Sequence, residues 1–174
     1  MVLFEFDKII KTKYNDYTKS NKNIEFIDFK LKAFEKIKKI FPFYFSKINQ
    51  NYVDSIINLT NIKILLYCIE NEFNIKNIVS ILIYKKTNSK NSIKYNILLL
   101  GTHERFRKYG YGSVVLNNFV EFINESTKSK KKIKILVKSL ESSVKFYLSN
   151  GFIKSMNQLN KIQDKYENIL EFNI

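Results

Sequence analysis

"ILLLGTHERFRKYGYGSVVLNNF", residues 97–119, is the stretch from which the rest of the chain is read. It joins an apolar run, a polar turn and a segment with apolar residues at helical spacing, so it reads as strand, turn and amphipathic helix. The chain has four glycines and two arginines in 174 residues; Gly101, Gly110, Gly112, Arg105 and Arg107 all fall here. Where Gly and Arg are scarce, those present mark positions that need them. Backbone N–H groups at a helix start have no partner within the helix, and the helix dipole adds positive potential there. Glycine at 110 and 112 leaves those amides open to a ligand. Arg107 and Lys108 add positive charge, and the whole reads as a phosphate cradle. The turn lacks the G-K-[ST] ending of a P-loop and the third glycine of the dinucleotide fingerprint, which disfavours a Mg-nucleotide or NAD.

Outward from this stretch the texture is regular. "IKILLYCIE", "NIVSILIYKK" and "IKYNILLLGT" are β-branched apolar runs parted by short polar segments, which is the pattern of successive antiparallel strands. After the helix, with Val115, Phe119, Phe122 and Ile123 expected inward, "KIKILVK" reads as a strand. "ESSVKFYLSNG" then reads as a helix capped by Ser139 and ended by Asn150-Gly151, and "GFIKSM" and "ENILEFNI" as two last strands. Near the start, "VLFEF" at 2–6 and "IEFIDF" at 24–29 compete for a first strand, with a loop or short surface helix between them. "LKAFEKIKKIF" puts Leu31, Phe34, Ile37 and Phe41 on one helical face, and Pro42 should end that helix. A second helix is expected over about 46–59, on the spacing of Ile48, Tyr52, Ser55 and Ile56. The order predicts one α/β domain, residues 1–174, around a mixed and mostly antiparallel sheet.

Composition narrows the class. A hydrophobic fraction of 45% is that of a globular chain, and no apolar run approaches the roughly 18 residues of a membrane span. The opening "MVLFEFDKII" does not read as a signal peptide. With Cys68 as the lone cysteine there is no internal disulfide and no Cys-based zinc site; an intracellular setting and no metal are expected. Cys68 sits in an apolar strand and reads as an inert buried thiol. The net charge of +14 invites a nucleic-acid role, but the excess is lysine scattered among Asn and Ile, the residues of A/T-rich codons. A basic nucleic-acid module is therefore the weaker alternative.

Residues 107–112, R-K-Y-G-Y-G, resemble the R/Q-x-x-G-x-G/A signature of the GCN5-related N-acetyltransferases. Downstream, "SSVKFYLSNGF" is similar to that family's later A-x-x-F-Y-x-x-x-G-F motif, with Phe146, Tyr147, Gly151 and Phe152 in place. The resemblance covers about 95–173 and implies a cofactor-binding core over 61–174, with 1–60 forming acceptor-side helices. It implies acetyl-coenzyme A as cosubstrate. The pyrophosphate would lie on the amides of Lys108, Tyr109, Gly110, Tyr111, Gly112 and Ser113, with Arg107 also binding the cofactor through its charge at the mouth, and the pantetheine arm beside Leu100, Gly101 and Thr102. An amine, on a small molecule or a protein, would attack the thioester directly. Tyr147 would protonate the leaving thiolate, work suited to a positioned hydroxyl.

The family pattern is not followed everywhere. Some relatives carry a glutamate on the strand that here reads "KIKILVK", which has no acid. Glu104 replaces a frequent proline and is the catalytic-base candidate, beside His103, Glu70 and Glu72; a water chain is the alternative. Leu140 stands where many relatives have a cofactor-binding asparagine, with Ser139 or Ser142 as substitutes. An intact cradle without a base would make an acyl-CoA-binding pseudo-enzyme, the second alternative. A homodimer stays open. Acids number 16 against 30 bases, which argues against a strongly cationic acceptor.

Overall fold

The computed structural model describes residues 2–20, 25–46, 59, 61–70, 73–127, 131–155 and 168–174. Its strands are β1 (Val2–Glu5), β2 (Ile62–Cys68), β3 (Ile78–Asn88), β4 (Ser92–Thr102), β5 (Lys132–Ser139), β6 (Ile153–Lys154) and β7 (Asn168–Asn173). The helices are α1 (Phe6–Ser20), α2 (Phe26–Ile40), α3 (Pro42–Phe45), α4 (Tyr111–Ser126) and α5 (Glu141–Ser149). The strands form one seven-stranded sheet in the order β1-β2-β3-β4-β5-β7-β6, flanked by helices. The α/β class with a mixed sheet is as expected. β1 runs antiparallel to β2, β7 pairs antiparallel with both β5 and β6, and β4 and β5 are parallel.

The chain divides into two compact units, Met1–Ile83 with Leu100–Gly112, and Tyr84–Leu99 with Ser113–Ile174. In the first, the two long helices meet through aromatic edges. Phe6 packs on Phe34 with centroids 6.0 Å apart, and Tyr14 packs on Phe26 and Phe29. Asp7, at the start of α1, holds Lys30 of α2 at 2.8 Å and Lys63 of β2 at 3.0 Å. Burial pushes the Asp7 carboxyl up, but the hydrogen bonds and charges of the two lysines outweigh it and leave it below its ordinary value.

Of the two segments competing for the first strand, "VLFEF" supplies β1, whereas "IEFIDF" runs into α2. Phe26 and Phe29 are three residues apart, as are Phe34 and Ile37, and over a full 15-residue helix the helical period wins. The polar segment between them belongs to α1 as far as Ser20. Pro42 does end α2, and it also opens α3 as its first residue, where a missing N–H costs nothing. The helix expected over 46–59 falls almost wholly outside the described residues.

In the second unit, β5 alternates cleanly, with Ile133, Ile135, Val137 and Ser139 buried. α4 buries Val115, Leu116, Phe119 and Ile123; Phe122, expected inward, is only half-buried and Leu116 takes the inner position. Phe119 packs against Tyr84 and Tyr95 at 4.9 and 6.3 Å. Ser139 does not cap α5: Leu140 is the N-cap residue, and the Ser139 hydroxyl donates to the Leu140 carbonyl at 3.0 Å. Ser139 is still paired in β5, opposite Asn168, so its side chain lies too early to reach the helix amides.

Candidate functional site

β4 and β5 pair in parallel from Ser92↔Lys132 to Ile97↔Val137, and there the register ends although β4 continues to Thr102. At its far end, the His103 N–H donates to the Val79 carbonyl of β3 at 2.8 Å. Strand alternation therefore turns the backbone groups of Thr102 away from β3. A single 3-10 turn, Glu104–Phe106, follows, capped by His103, whose Nδ1 accepts the Arg105 N–H at 3.2 Å. His103 serves here as a cap.

Beyond it the backbone winds in an unusual way. Lys108 has φ +68° and Gly110 φ +80°, both in the left-handed region. Among the described residues, the amides of Lys108, Tyr109 and Gly110 donate no backbone hydrogen bond, and α4 begins at Tyr111. With the first-turn amides of Tyr111, Gly112 and Ser113 they make a run of open N–H groups at the start of a 16-residue helix. A Cβ at Gly110 would meet nothing within 4 Å. The glycine answers to the backbone angle, with open space where its side chain would stand. The φ of Lys108 had no signal in the sequence, since lysine rarely adopts it.

Tyr44 is the residue that sequence reasoning missed. Its hydroxyl donates to the Thr102 carbonyl at 3.4 Å and accepts the Thr102 N–H at 3.2 Å. Its ring lies so close over Gly101 that a Cβ there would stand 2.9 Å from Tyr44 Cδ2. Gly101 is thus glycine because an aromatic ring covers it. Arg107 joins the same group: Nε donates to the Thr102 carbonyl at 3.3 Å, and the guanidinium stacks 4.8 Å from the Phe43 ring centre and 5.3 Å from that of Tyr44. The cluster "PFYF" after the lone proline was the available signal.

These residues wall a cavity of about 470 Å³, also lined by Lys39, Lys76, His103, Glu104 and Arg105. Glu104 is exposed at its edge. The remaining candidates lie elsewhere. Glu70 accepts from Asn77 Nδ2 at 2.6 Å in the β2–β3 connection, and Glu72 falls outside the described residues. Tyr147 belongs to the second unit, buried on α5 between Phe146 and Phe152 at 5.1 and 5.3 Å. Leu140 is 63% exposed, and Ser142 is exposed in the first turn of α5. Cys68 is fully buried, and burial pushes its thiol up to about 11. It is an inert core thiol.

A mixed seven-stranded sheet, a parallel β4–β5 pair whose register stops midway, and a glycine turn leading from β4 into α4 define the fold of the GCN5-related N-acetyltransferases. Solved structures share it at low sequence identity. Tetrahymena GCN5 is 14% identical, with a TM-score of 0.61, and the match covers 83% of this chain and 88% of that one. A Bacillus subtilis acetyltransferase in complex with CoA is 15% identical (TM-score 0.51; 72% and 84% covered). A KacTA–DNA complex contains a chain 13% identical (TM-score 0.51; 82% and 79% covered). No family model and no curated protein matches the sequence. Among the described residues, no helix is long and apolar enough to cross a membrane.

Proposed function

We propose that this chain is an acetyl-coenzyme-A-dependent N-acetyltransferase acting on a primary amine. The observation that carries the reading is the run of open amides from Lys108 to Ser113, shaped by two left-handed residues at the head of α4. Such a nest fits a pyrophosphate, because several N–H groups and the helix dipole converge on one anion. Gly110, with free space where a side chain would stand, fits it too.

In this reading the amides of Lys108 to Ser113 hold the pyrophosphate, and the backbone of Leu100, Gly101 and Thr102 lies along the pantetheine arm. Acetyl-CoA supplies an acetyl group activated as a thioester. The Thr102 N–H and carbonyl are engaged by Tyr44, so the Tyr44 hydroxyl gives way or shares when the arm docks. The acceptor amine uses its lone pair to form the N–C bond as the C–S bond breaks. Glu104 takes the proton that the amine loses, and the Tyr147 hydroxyl gives one to the departing sulfur. Glu104 is supported by its place on the cavity wall, and Tyr147 by its motif position alone.

The test is calorimetric titration with acetyl-CoA, with DNA and RNA run in parallel, followed by a mass-spectrometric screen for acetylated amines. Acetyl-CoA is expected to bind with about one equivalent per chain, and any DNA binding to be weak, insensitive to sequence and steeply lost with salt. Sub-micromolar, sequence-selective DNA binding without acetyl-CoA binding would reverse the assignment. Cofactor binding with no acetylated amine would leave the acyl-CoA-binding pseudo-enzyme.

A further inference from the structure

We infer that the cavity beside β4 receives a small zwitterionic acceptor, a primary amine that also carries an oxyanion such as a carboxylate or phosphate. This rests on the acetyltransferase reading and names its substrate class. Lys39, Lys76, Arg105 and Arg107 line the cavity against a single acid, Glu104. The chain as a whole has 30 bases to 16 acids, so the cavity is more one-sided than its surroundings. Among the described residues, the side chains of Lys39, Lys76 and Arg105 form no ion pair, so their charge is not cancelled locally. Around a cavity that is partly withdrawn from water, several like charges attract an anion more strongly than they would on an open surface.

Arg107 is the anchor. Two aromatic rings and the Thr102 carbonyl fix its guanidinium, with Nε spent on that carbonyl. The outer edge of the fork remains, in a plane already set, and a planar fork held in advance suits a two-oxygen anion. Glu104 supplies the opposite pole, where an ammonium group would sit before losing its proton. Phe43, about half exposed at 49%, gives the body of the ligand an apolar wall. A volume of about 470 Å³ suits a metabolite-sized molecule and is too small to enclose a folded chain.

The experiment uses the full chain and two matched pairs, tyrosine with tyramine and O-phosphoethanolamine with ethanolamine. Binding to the CoA complex is read by calorimetry, and acetylation by mass and free thiol. The anionic member of at least one pair should be preferred by about tenfold or more, the range of a charge-assisted hydrogen bond. The pair that responds tells carboxylate from phosphate. Arg107→Ala should erase the preference through a raised acceptor KM, and Lys39→Glu, at an exposed position, should weaken it without touching the fold. Preference for tyramine and ethanolamine, or no difference within either pair while acetyl-CoA binds normally, overturns this inference alone. Loss of acetyl-CoA affinity in Arg107→Ala, with acceptor preference intact, also overturns it and returns Arg107 to the cofactor. If the unaltered chain does not bind acetyl-CoA, the acetyltransferase reading fails in the first titration and this inference with it.

Discussion

Gly110, before α4, and Gly151, after α5, hold nearly the same backbone angle, φ +80° and +83°. Their surroundings differ. A Cβ at Gly151 would stand 3.0 Å from Phe172 Cε2, whereas one at Gly110 would meet nothing within 4 Å. The amides around Gly151 are spent on ending the helix: Asn150 and Phe152 donate to the Tyr147 carbonyl, and Gly151 to that of Leu148. That is the usual left-handed stop of a helix, packed against a neighbour. Among the described residues, the amides of Lys108, Tyr109 and Gly110 donate to no backbone partner. One glycine closes a structure and the other faces open space, and the difference lies in where the neighbouring N–H groups go.

The largest effect is expected at the open turn. Gly110→Val sets a branched side chain in front of the amides, and acetyl-CoA affinity should fall by at least about 100-fold, the scale of losing several hydrogen bonds to a charged group. The left-handed angle also costs a non-glycine residue about 1–2 kcal/mol. Gly110→Asn, which tolerates that angle, separates obstruction from strain. If both variants bind acetyl-CoA like the parent, the two turns do not differ as described.

Tyr147 sharpens the contrast, because its carbonyl belongs to the closing turn while its hydroxyl is assigned to chemistry. Tyr147→Phe keeps the turn. General acid catalysis is commonly worth about 100- to 10,000-fold, and with water as a substitute donor kcat should still fall by at least about tenfold, at unchanged acetyl-CoA affinity. A loss of thermal stability with full activity would make Tyr147 a core aromatic only.

Gly151→Ala should do the reverse of Gly110→Val. The backbone angle and the contact with Phe172 together should cost about 1–3 kcal/mol, lowering Tm by several degrees, while acetyl-CoA affinity stays within about twofold. A smaller effect is expected far from both turns, at Asp7. Its folded pKa is depressed, so its stabilisation is present above the ordinary carboxylate range and is lost as pH falls through the lower folded value. Asp7→Asn should cost about 1 kcal/mol near pH 7, and the variant's urea midpoint should converge on the parent's in strong acid. A constant difference at every pH would remove the ion pairs from the account of α1–α2 packing.

The open turn was legible because the chain is poor in Gly and Arg, so their crowding at 101–112 stood out, and the strands around it are plain apolar runs. Gly101 was found as a position but not understood. Its reason is Tyr44, 57 residues earlier, and no local pattern announces a ring laid over a distant strand. The false strand at 24–29 has a related cause, because six residues satisfy both periods and only the full length of α2 decides. Ser139 failed as a cap by one position: the residue type was right for the job, but β5 pairing holds it in the strand.

The most direct measurement is an amide-resolved ¹H–¹⁵N NMR titration of the unaltered chain with coenzyme A. The amides of Lys108 to Ser113 are expected to show the largest shifts, in the sense of new hydrogen bonds to an anion, while those of Asn150, Gly151 and Phe152 hold still. Saturation with the Lys108–Ser113 amides unmoved, or with the largest shifts at Asn150–Phe152, would contradict the assignment of the pyrophosphate to the open turn.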